Sequence, residues 1–282
     1  MTEAALTMAM EVTTNLQHLG RLSLDKMEGF GEFSRFIGHT FRSIGLVFTR
    51  RRWQTLAPQV FSIGVQSVPV LLVTGLFVGM VLAVQTVEQF QAIGMGERMG
   101  TIVNLSVLRE LGPVLAGIML AGRVGGALTA ELGTMRVTEQ IDAVRAMGAS
   151  PIRFLVCPRF LACLVLIPFL TIYCDAMGVL GGWFISVIIY GANSVSYWQY
   201  SARFVGNWDI AIGLIKSVFF GGAISLIACY KGFHCRPGAA GVGRATTESF
   251  VASFIAILVL DFFLAMLLQA IGLRIWGFRR FI

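Results

Sequence analysis

The feature that most constrains this chain is a series of apolar runs, each twenty residues or longer. Hydrophobic residues make up 56% of the 282 residues and charged residues only 13%, a more apolar balance than soluble domains have. About 20 apolar residues in a helix cross the hydrocarbon layer of a bilayer, and a helix satisfies its own backbone hydrogen bonds there. The sequence therefore predicts an all-α polytopic membrane protein.

Five such runs are predicted to span the membrane, and they cover residues 58–85, 99–126, 154–190, 210–230 and 249–273. The third run, at 37 residues, is too long for one upright helix. It is either one long tilted or kinked helix or a tight pair, so the count is five or six. Seven Lys and Arg residues precede the first span, which favours a cytoplasmic amino terminus. The basic tail, 274–282, would fit six spans better.

The amino-terminal segment, residues 1–55, mixes charged and apolar positions. Its apolar residues follow helical spacing at Phe33, Phe36, Ile37, Phe41 and Ile44. Such a pattern predicts an amphipathic helix in the membrane interface. The alternative is a helix that packs on other parts of the protein.

A charged, helix-forming segment, Leu128 to Ile152, separates the second and third runs. Helical spacing predicts one apolar or small face and one charged face. The first face holds Val137, Ile141, Val144 and Gly148, and the second holds Glu139, Asp142 and Arg145. Gly148 and Pro151 are typical of a helix end. We interpret this segment as a helix on the water side of the membrane, where a soluble partner pushes on the membrane domain.

Three ionisable residues fall inside the predicted spans, namely Glu110, Lys216 and Asp261. In a five-span topology they lie at similar depths from the outer surface. Charges at such depth are costly and are usually functional or paired. Two acids and a base could line a polar cavity, or they could be ion pairs that hold helices together. Asp175 is a weaker candidate, because it could lie at a bend.

No catalytic, metal or nucleotide site is predicted. The sequence lacks the G-x-x-x-x-G-K-[ST] loop that cradles ATP phosphates. Its closest glycine-rich stretch, Gly238 to Arg244, is expected to be a flexible loop, with Thr246 or Thr247 capping the last helix. The three histidines stand apart and the five cysteines show no CxxC spacing. The chain is therefore not expected to be an enzyme or to bind a cofactor of its own.

One long motif carries a family resemblance. The segment LRELGPVLAGIMLAGRVGGALTAELGTMRVTEQIDA, from Leu108 to Ala143, resembles the permease subunit of MlaE (YrbE) type ABC transporters. The pieces LIKSVFF, GVGRATTESF and LDFFLA follow in the family's order, so the resemblance covers about Gln59 to Leu268. It implies a permease of about five spans that moves phospholipid-like substrates. It also implies a homodimer with a separate ATPase that binds the ATP, an MCE-domain partner and often a STAS-domain protein. A bacterial inner membrane is favoured because no transit peptide is visible at the amino terminus, although the family also has plastid members.

The resemblance also implies roles for individual residues. A cytoplasmic coupling helix maps onto 131–144, within a permease domain of residues 56–273. Its ATPase-facing residues are Glu131, Arg136, Glu139, Ile141, Asp142 and Val144. The family's polar lipid-cavity residues map onto Arg109, Glu110, Lys216 and Asp261, and more loosely onto Gln85 at the outer end of the first span.

Two other function classes are compatible with buried charges. A lipid-modifying membrane enzyme could use Glu110 or Asp261 as acid or base. A secondary transporter could use Lys216 and the carboxylates to carry protons. Neither class accounts for a long charged helix with defined faces between two spans.

Overall fold

The chain is helical throughout most of the part described by the computed structural model, residues 28–29, 31–43, 53–92 and 98–276. In that part, five helices are long and apolar enough to cross a membrane, which confirms the all-α fold with five spans. The spans are Pro58–Phe90, Met99–Val137, Ile152–Ile189, Asn207–Phe233 and Ala239–Arg274. Ile44 and residues 277–282 of the basic tail lie outside the described residues.

The helices are numbered in chain order. They are α1 (31–43), α2 (Trp53–Ile63), α3 (Val68–Ala92), α4 (Met99–Ser106), α5 (Gly112–Leu120), α6 (Gly126–Val137), α7 (Gln140–Ala146), α8 (Cys157–Trp183), α9 (Ser194–Phe204), α10 (Asn207–Phe233) and α11 (Ala239–Trp276). Wider π-helical segments join several of them, at Val107–Leu111, Ala121–Gly125, Ile152–Val156 and Phe184–Ile189. The third apolar run is one continuous helical course, which answers the question of one helix or two.

Spans two, three and four form the centre of the bundle, while spans one and five flank it. In the most apolar window of each span, 56 to 61% of the central spans is buried, against 28% of the first and 22% of the fifth. The core contains Leu120, Ile167, Phe220 and Ile224 from the central spans and Ile257 from the fifth. The two flanking spans therefore keep large apolar faces free.

The first span packs closely on the third through small residues. A Cβ atom at Gly75 would overlap the carbonyl oxygen of Cys174, and one at Gly79 would overlap that of Gly178. Backbones can approach this closely only where side chains are absent. Gly75 and Gly79, four residues apart, therefore serve helix packing within the bundle.

The segment between spans two and three differs from the predicted single helix. Helix α6 ends at Val137 and α7 begins at Gln140. Glu139 between them adopts a left-handed conformation, with φ of 60°, which interrupts the helical course. Ile141 is fully buried, whereas Val137 is 36% exposed. The residues of the predicted apolar face therefore do not all pack against the bundle. Gly148, at φ of 75°, follows α7 as the predicted helix end requires.

The glycine-rich stretch before the fifth span is not the expected loop. Helix α10 extends to Phe233 and α11 begins at Ala239, so the connection is only residues 234–238. Thr246 lies inside α11 and donates a hydrogen bond to the carbonyl of Val242 one turn earlier, 2.8 Å away. Neither Thr246 nor Thr247 is therefore a cap. Gly241 lies against the preceding connection, since a Cβ there would overlap the carbonyl oxygen of Arg236, whereas a Cβ at Gly243 would have nothing within 4 Å.

Helix α1 packs on the ends of spans three and four. Phe33 and Phe36 form edge-to-face contacts with Tyr230, with centroid separations of 5.1 and 5.7 Å. Phe41 contacts Phe160 at 5.6 Å but remains 55% exposed. The helix therefore rests on protein along one part of its apolar face and leaves another part free for the membrane interface.

Helix α9 closes the opposite end of the bundle. Tyr197 is buried and donates a hydrogen bond to Oδ1 of Asn104 at 3.1 Å, while Nδ2 of Asn104 donates to Ser201 at 2.9 Å. Burial raises the pKa of Tyr197, so its hydroxyl stays protonated and remains a donor. This network fixes α9 against the start of the second span.

Candidate functional site

A charged cluster joins three spans inside the bundle. Lys216 on the fourth span places its Nζ 2.5 Å from Oε2 of Glu110 on the second span and 2.9 Å from Oδ1 of Asp261 on the fifth. The Lys216 side chain is fully buried, whereas those of Asp261 and Glu110 are 23% and 48% exposed. The structure thus brings together the three intramembrane charges, with the buried cation between the two carboxylates.

The cluster lies deep within the predicted membrane. Glu110, Lys216 and Asp261 are each nine to thirteen residues from the outer end of their spans, or about 14 to 20 Å at the helical rise of about 1.5 Å per residue. A half-exposed carboxylate at this depth is costly against acyl chains. It can be tolerated where it faces a water-filled or polar cavity.

Arg109 makes a separate ion pair, with a residue that sequence reasoning missed. Its Nη2 lies 2.5 Å and its Nε 2.9 Å from Oδ1 of Asp209 on α10. Asp209 is buried and also accepts a hydrogen bond from the backbone N–H of Gly206 at 2.7 Å, as an N-terminal capping acid does. The predicted fourth span began at Ile210, one residue too late to include it. The signal was an acid three residues after a glycine at a helix start.

The backbone geometry of the second span explains how Arg109 and Glu110, which are adjacent in the chain, form two separate ion pairs. Arg109 and Glu110 both lie in the π-helical segment Val107–Leu111. Such segments widen the helix and are frequent at functional sites. Helix α10 approaches the segment closely, because a Cβ at Gly213 would overlap the carbonyl oxygen of Leu108. Arg109 and Glu110 can therefore each reach a carboxylate or ammonium group on α10.

Asp175 on the third span borders the same segment. It is 6% exposed, and its Oδ1 has no hydrogen-bond partner among the described residues. A Cβ at Gly112, the residue after the π segment, would overlap that oxygen. Asp175 is therefore at a helix contact in the bundle and not at a bend.

Gln85 lies apart from the ion pairs. It lines an apolar groove of about 320 Å³ between the first and second spans, together with Phe77, Val81, Leu111 and Leu115. Leu111 directly follows Glu110 in the chain. The groove therefore begins near the level of Glu110 along the second span and extends to Gln85, although none of the three cluster residues lines it.

The predicted coupling residues lie at the other end of the bundle. Asp142 on α7 accepts hydrogen bonds from Arg136 on α6 at 2.7 Å and from Arg145 at 3.2 Å. Glu131 is paired with the buried Arg159 on α8 at 2.7 Å. These contacts tie α7 to α6, and α6 to the third span.

The remaining predicted coupling residues differ in burial. Ile141 is fully buried, while Glu139 is exposed and Val144 is partly buried. Ile141 therefore anchors α7 to the bundle, and Glu139 faces away from it.

Residues 56–267 match the protein family described as Permease MlaE. The chain belongs to the MlaE permease family. It is 39% identical over 254 residues to a probable ABC transporter permease protein of Rickettsia prowazekii, and the match covers 89% of this chain and 97% of that one. It is 38% identical over 230 residues to the intermembrane phospholipid transport system permease protein MlaE of Haemophilus influenzae, covering 81% and 88% of the two chains.

A plant protein is also similar. The protein TRIGALACTOSYLDIACYLGLYCEROL 1, chloroplastic, of Arabidopsis thaliana is 39% identical over 213 residues, which are 76% of this chain and 61% of that one. The chain is thus a multi-pass membrane permease subunit of an ABC transporter. In this class the permease is not itself catalytic, and a partner ATPase hydrolyses ATP.

Proposed function

We propose that this permease moves phospholipids between the bacterial inner membrane and an MCE-type partner, driven by its ATPase. The observation that carries the proposal is the half-exposed Glu110 on the fully buried Lys216, at a depth where a charge needs a polar environment. The name of the Haemophilus influenzae relative, an intermembrane phospholipid transport permease, supports this substrate class.

The charges suit a phospholipid headgroup. A headgroup amine could be attracted to Glu110 or Asp261, and a phosphate to the partly exposed Arg109. The groove beside Gln85, lined by Phe77 and other apolar residues, would take acyl chains without desolvating polar groups. In this proposal the cluster orients one end of the lipid while the adjoining groove holds its tails.

A homodimer would complete the cavity. The first and fifth spans keep most of their apolar window unburied, and Glu110 is open on the same molecule. Two copies that meet over this region would cover both the apolar faces and the carboxylates, and would enclose a shared space. ATP-driven closure of two ATPase subunits would then move the 131–144 segments and change the shape of this space. An MCE-domain partner would exchange the lipid, and a STAS-domain protein is a further expected partner.

Reconstitution tests this function directly. The permease is purified with its ATPase and placed in liposomes that contain a fluorescent phospholipid, together with the MCE-domain partner. We expect lipid transfer with ATP and none with a non-hydrolysable analogue. Transfer that proceeds equally with the analogue, or that follows an ion gradient without the ATPase, would show that the proposal is wrong. Formation of a chemically modified lipid by the permease alone would instead support the alternative that the protein is a lipid-modifying enzyme.

A further inference from the structure

A cationic cleft lies at the end of the bundle remote from α9, between α1, α7 and the ends of spans three and four. Its volume is about 490 Å³. Arg35, Arg136 and Arg145 line it, together with the apolar side chains of Phe36, Ile152 and Phe233. The cleft shares no residue with the charged cluster around Lys216, and it lies where the predicted topology places the cytoplasmic surface.

The cleft has more positive than negative groups. Asp142 is the one carboxylate that Arg136 and Arg145 share. Arg35 forms no ion pair with any described residue, and Glu32 lies beside Tyr230. The cleft region therefore holds three guanidinium groups and two carboxylates, those of Glu32 and Asp142. His234, which also lines the cleft, is not included in this count. One negative charge on a ligand would balance the site.

The backbone adds to this preference. The third span begins at Ile152, and Ser150, Pro151 and Ile152 all line the cleft. The first N–H groups of a helix have no partner within the helix, and its dipole favours an anion at that end. The helix start and the guanidinium groups therefore attract the same kind of ligand, an oxyanion such as a phosphate group.

The walls of the cleft indicate which phosphate. Phe36 is 7% exposed at its floor, next to Phe233 at a centroid distance of 5.9 Å, so the cleft pairs an apolar floor with a cationic rim. Phe41, which follows Arg35 by nearly two turns of α1, is 55% exposed, as in a helix that touches the membrane interface. We propose that the cleft binds the headgroup of an anionic phospholipid of the cytoplasmic leaflet.

Such a lipid would have a structural effect on the coupling segment. Arg35 is on α1, Arg145 is on α7, and Ile152 begins the third span. One phosphate between them would hold α1 and α7 together at the bundle surface. This site is independent of the lipid that the permease carries, and its occupancy sets how firmly α7 is held.

The test is lipid retention by the purified full-length permease, without ATP or partners. Native mass spectrometry counts phosphatidylglycerol and phosphatidylcholine retained from an equal mixture. We expect Arg35→Gln to lower phosphatidylglycerol retention about fivefold, since one basic residue near a membrane surface contributes about this factor. Arg42→Gln is the matched control, because Arg42 lies two turns along the same helix and does not line the cleft.

Further measurements distinguish an anionic phospholipid from the other possible ligands of the cleft. The fivefold loss caused by Arg35→Gln should be the same in a Glu110→Gln, Lys216→Met, Asp261→Asn background, which removes the charged cluster, so failure of the transport proposal does not affect this result. Equal losses in Arg35→Gln and Arg42→Gln, or equal retention of the two lipids, would overturn the proposal. Displacement of the lipid by millimolar inorganic phosphate would overturn it by assigning the cleft to free anions. Loss of ATPase binding in Arg35→Gln, with lipid retention intact, would overturn it by assigning the cleft to the ATPase.

Discussion

Lys216 is the residue on which the charge balance of the membrane domain depends. It is fully buried and is the shared partner of Glu110 and Asp261. Removal of this buried cation leaves two carboxylates close together, which repel each other, and the less exposed Asp261 also loses the charge that offsets its desolvation. Lys216 therefore contributes to the stability of the bundle, and the proposed lipid binding involves the same side chain.

We expect Lys216→Met to lower the thermal unfolding temperature in detergent by several degrees. Breaking a buried ion pair by removing one partner costs about 3 to 5 kcal/mol, and the exposure of Glu110 places the effect toward the lower value. Lys231→Met is the control, because Lys231 pairs with Glu248 at a half-exposed position, where ion pairs contribute about 1 kcal/mol or less. Equal shifts for the two variants would contradict the account of Lys216.

At the scale of the elements, the contact between spans one and three depends on missing side chains. Gly79→Ala should separate these helices or prevent folding, because its Cβ would overlap the carbonyl of Gly178. Gly243→Ala, inside α11 with nothing within 4 Å of its Cβ, should fold as the wild type does. Monodispersity on size exclusion, with the unfolding temperature, measures both. A tolerated Gly79→Ala would mean that the two spans do not pack as described.

The segment between spans two and three gives a second prediction at this scale. Asp142→Asn should weaken co-purification of the ATPase, because it removes the carboxylate that holds α7 to Arg136. The expected reduction is about threefold to fivefold, as for a partly exposed ion pair. Glu139→Gln also removes one negative charge from the same surface, but Glu139 makes no ion pair among the described residues. Equal losses of ATPase co-purification in the two variants would show that binding depends on the net charge of this surface and not on the contact between α6 and α7.

Helix ends were the part of the fold that the sequence predicted least well. Apolar length located all five spans, since burial in lipid is what selects such runs. The break at Glu139 was missed because glutamate rarely adopts a left-handed conformation. The helical start of α11 was missed because Gly241 and Gly243 have low helix propensity, and the close approach of Gly241 to the carbonyl of Arg236 is visible only in the structure.

At the scale of the whole molecule, the candidate site was predictable only in part. The free-energy cost of a charged side chain in the membrane identified Glu110, Lys216 and Asp261 in the sequence. The structure places both carboxylates in contact with Lys216. The partner of Arg109 was not predictable, because Asp209 lies 100 residues away in the chain and looks like an ordinary helix cap. The role of these residues in lipid binding stays a prediction.

The molecule as a whole has a polar centre with unpaired apolar flanks. Spans one and five are mostly unburied, while Glu110 is half exposed beside them. A monomer would present both features to lipid, which is unfavourable for the carboxylate. The proposed homodimer resolves this, because one interface would cover the apolar faces and leave a polar space between the copies.

In the proposed function, the charged cluster binds the lipid that is carried. The most direct test compares the wild type with a neutral triple variant, Glu110→Gln with Lys216→Met and Asp261→Asn, in ATP-driven lipid transfer. Neutralising all three groups together removes the ion pairs without leaving an unpaired charge, so the variant should fold and bind the ATPase. We expect it to hydrolyse ATP and to transfer little lipid. Transfer at the wild-type rate would show that the three charges only hold the helices together and do not bind the carried lipid.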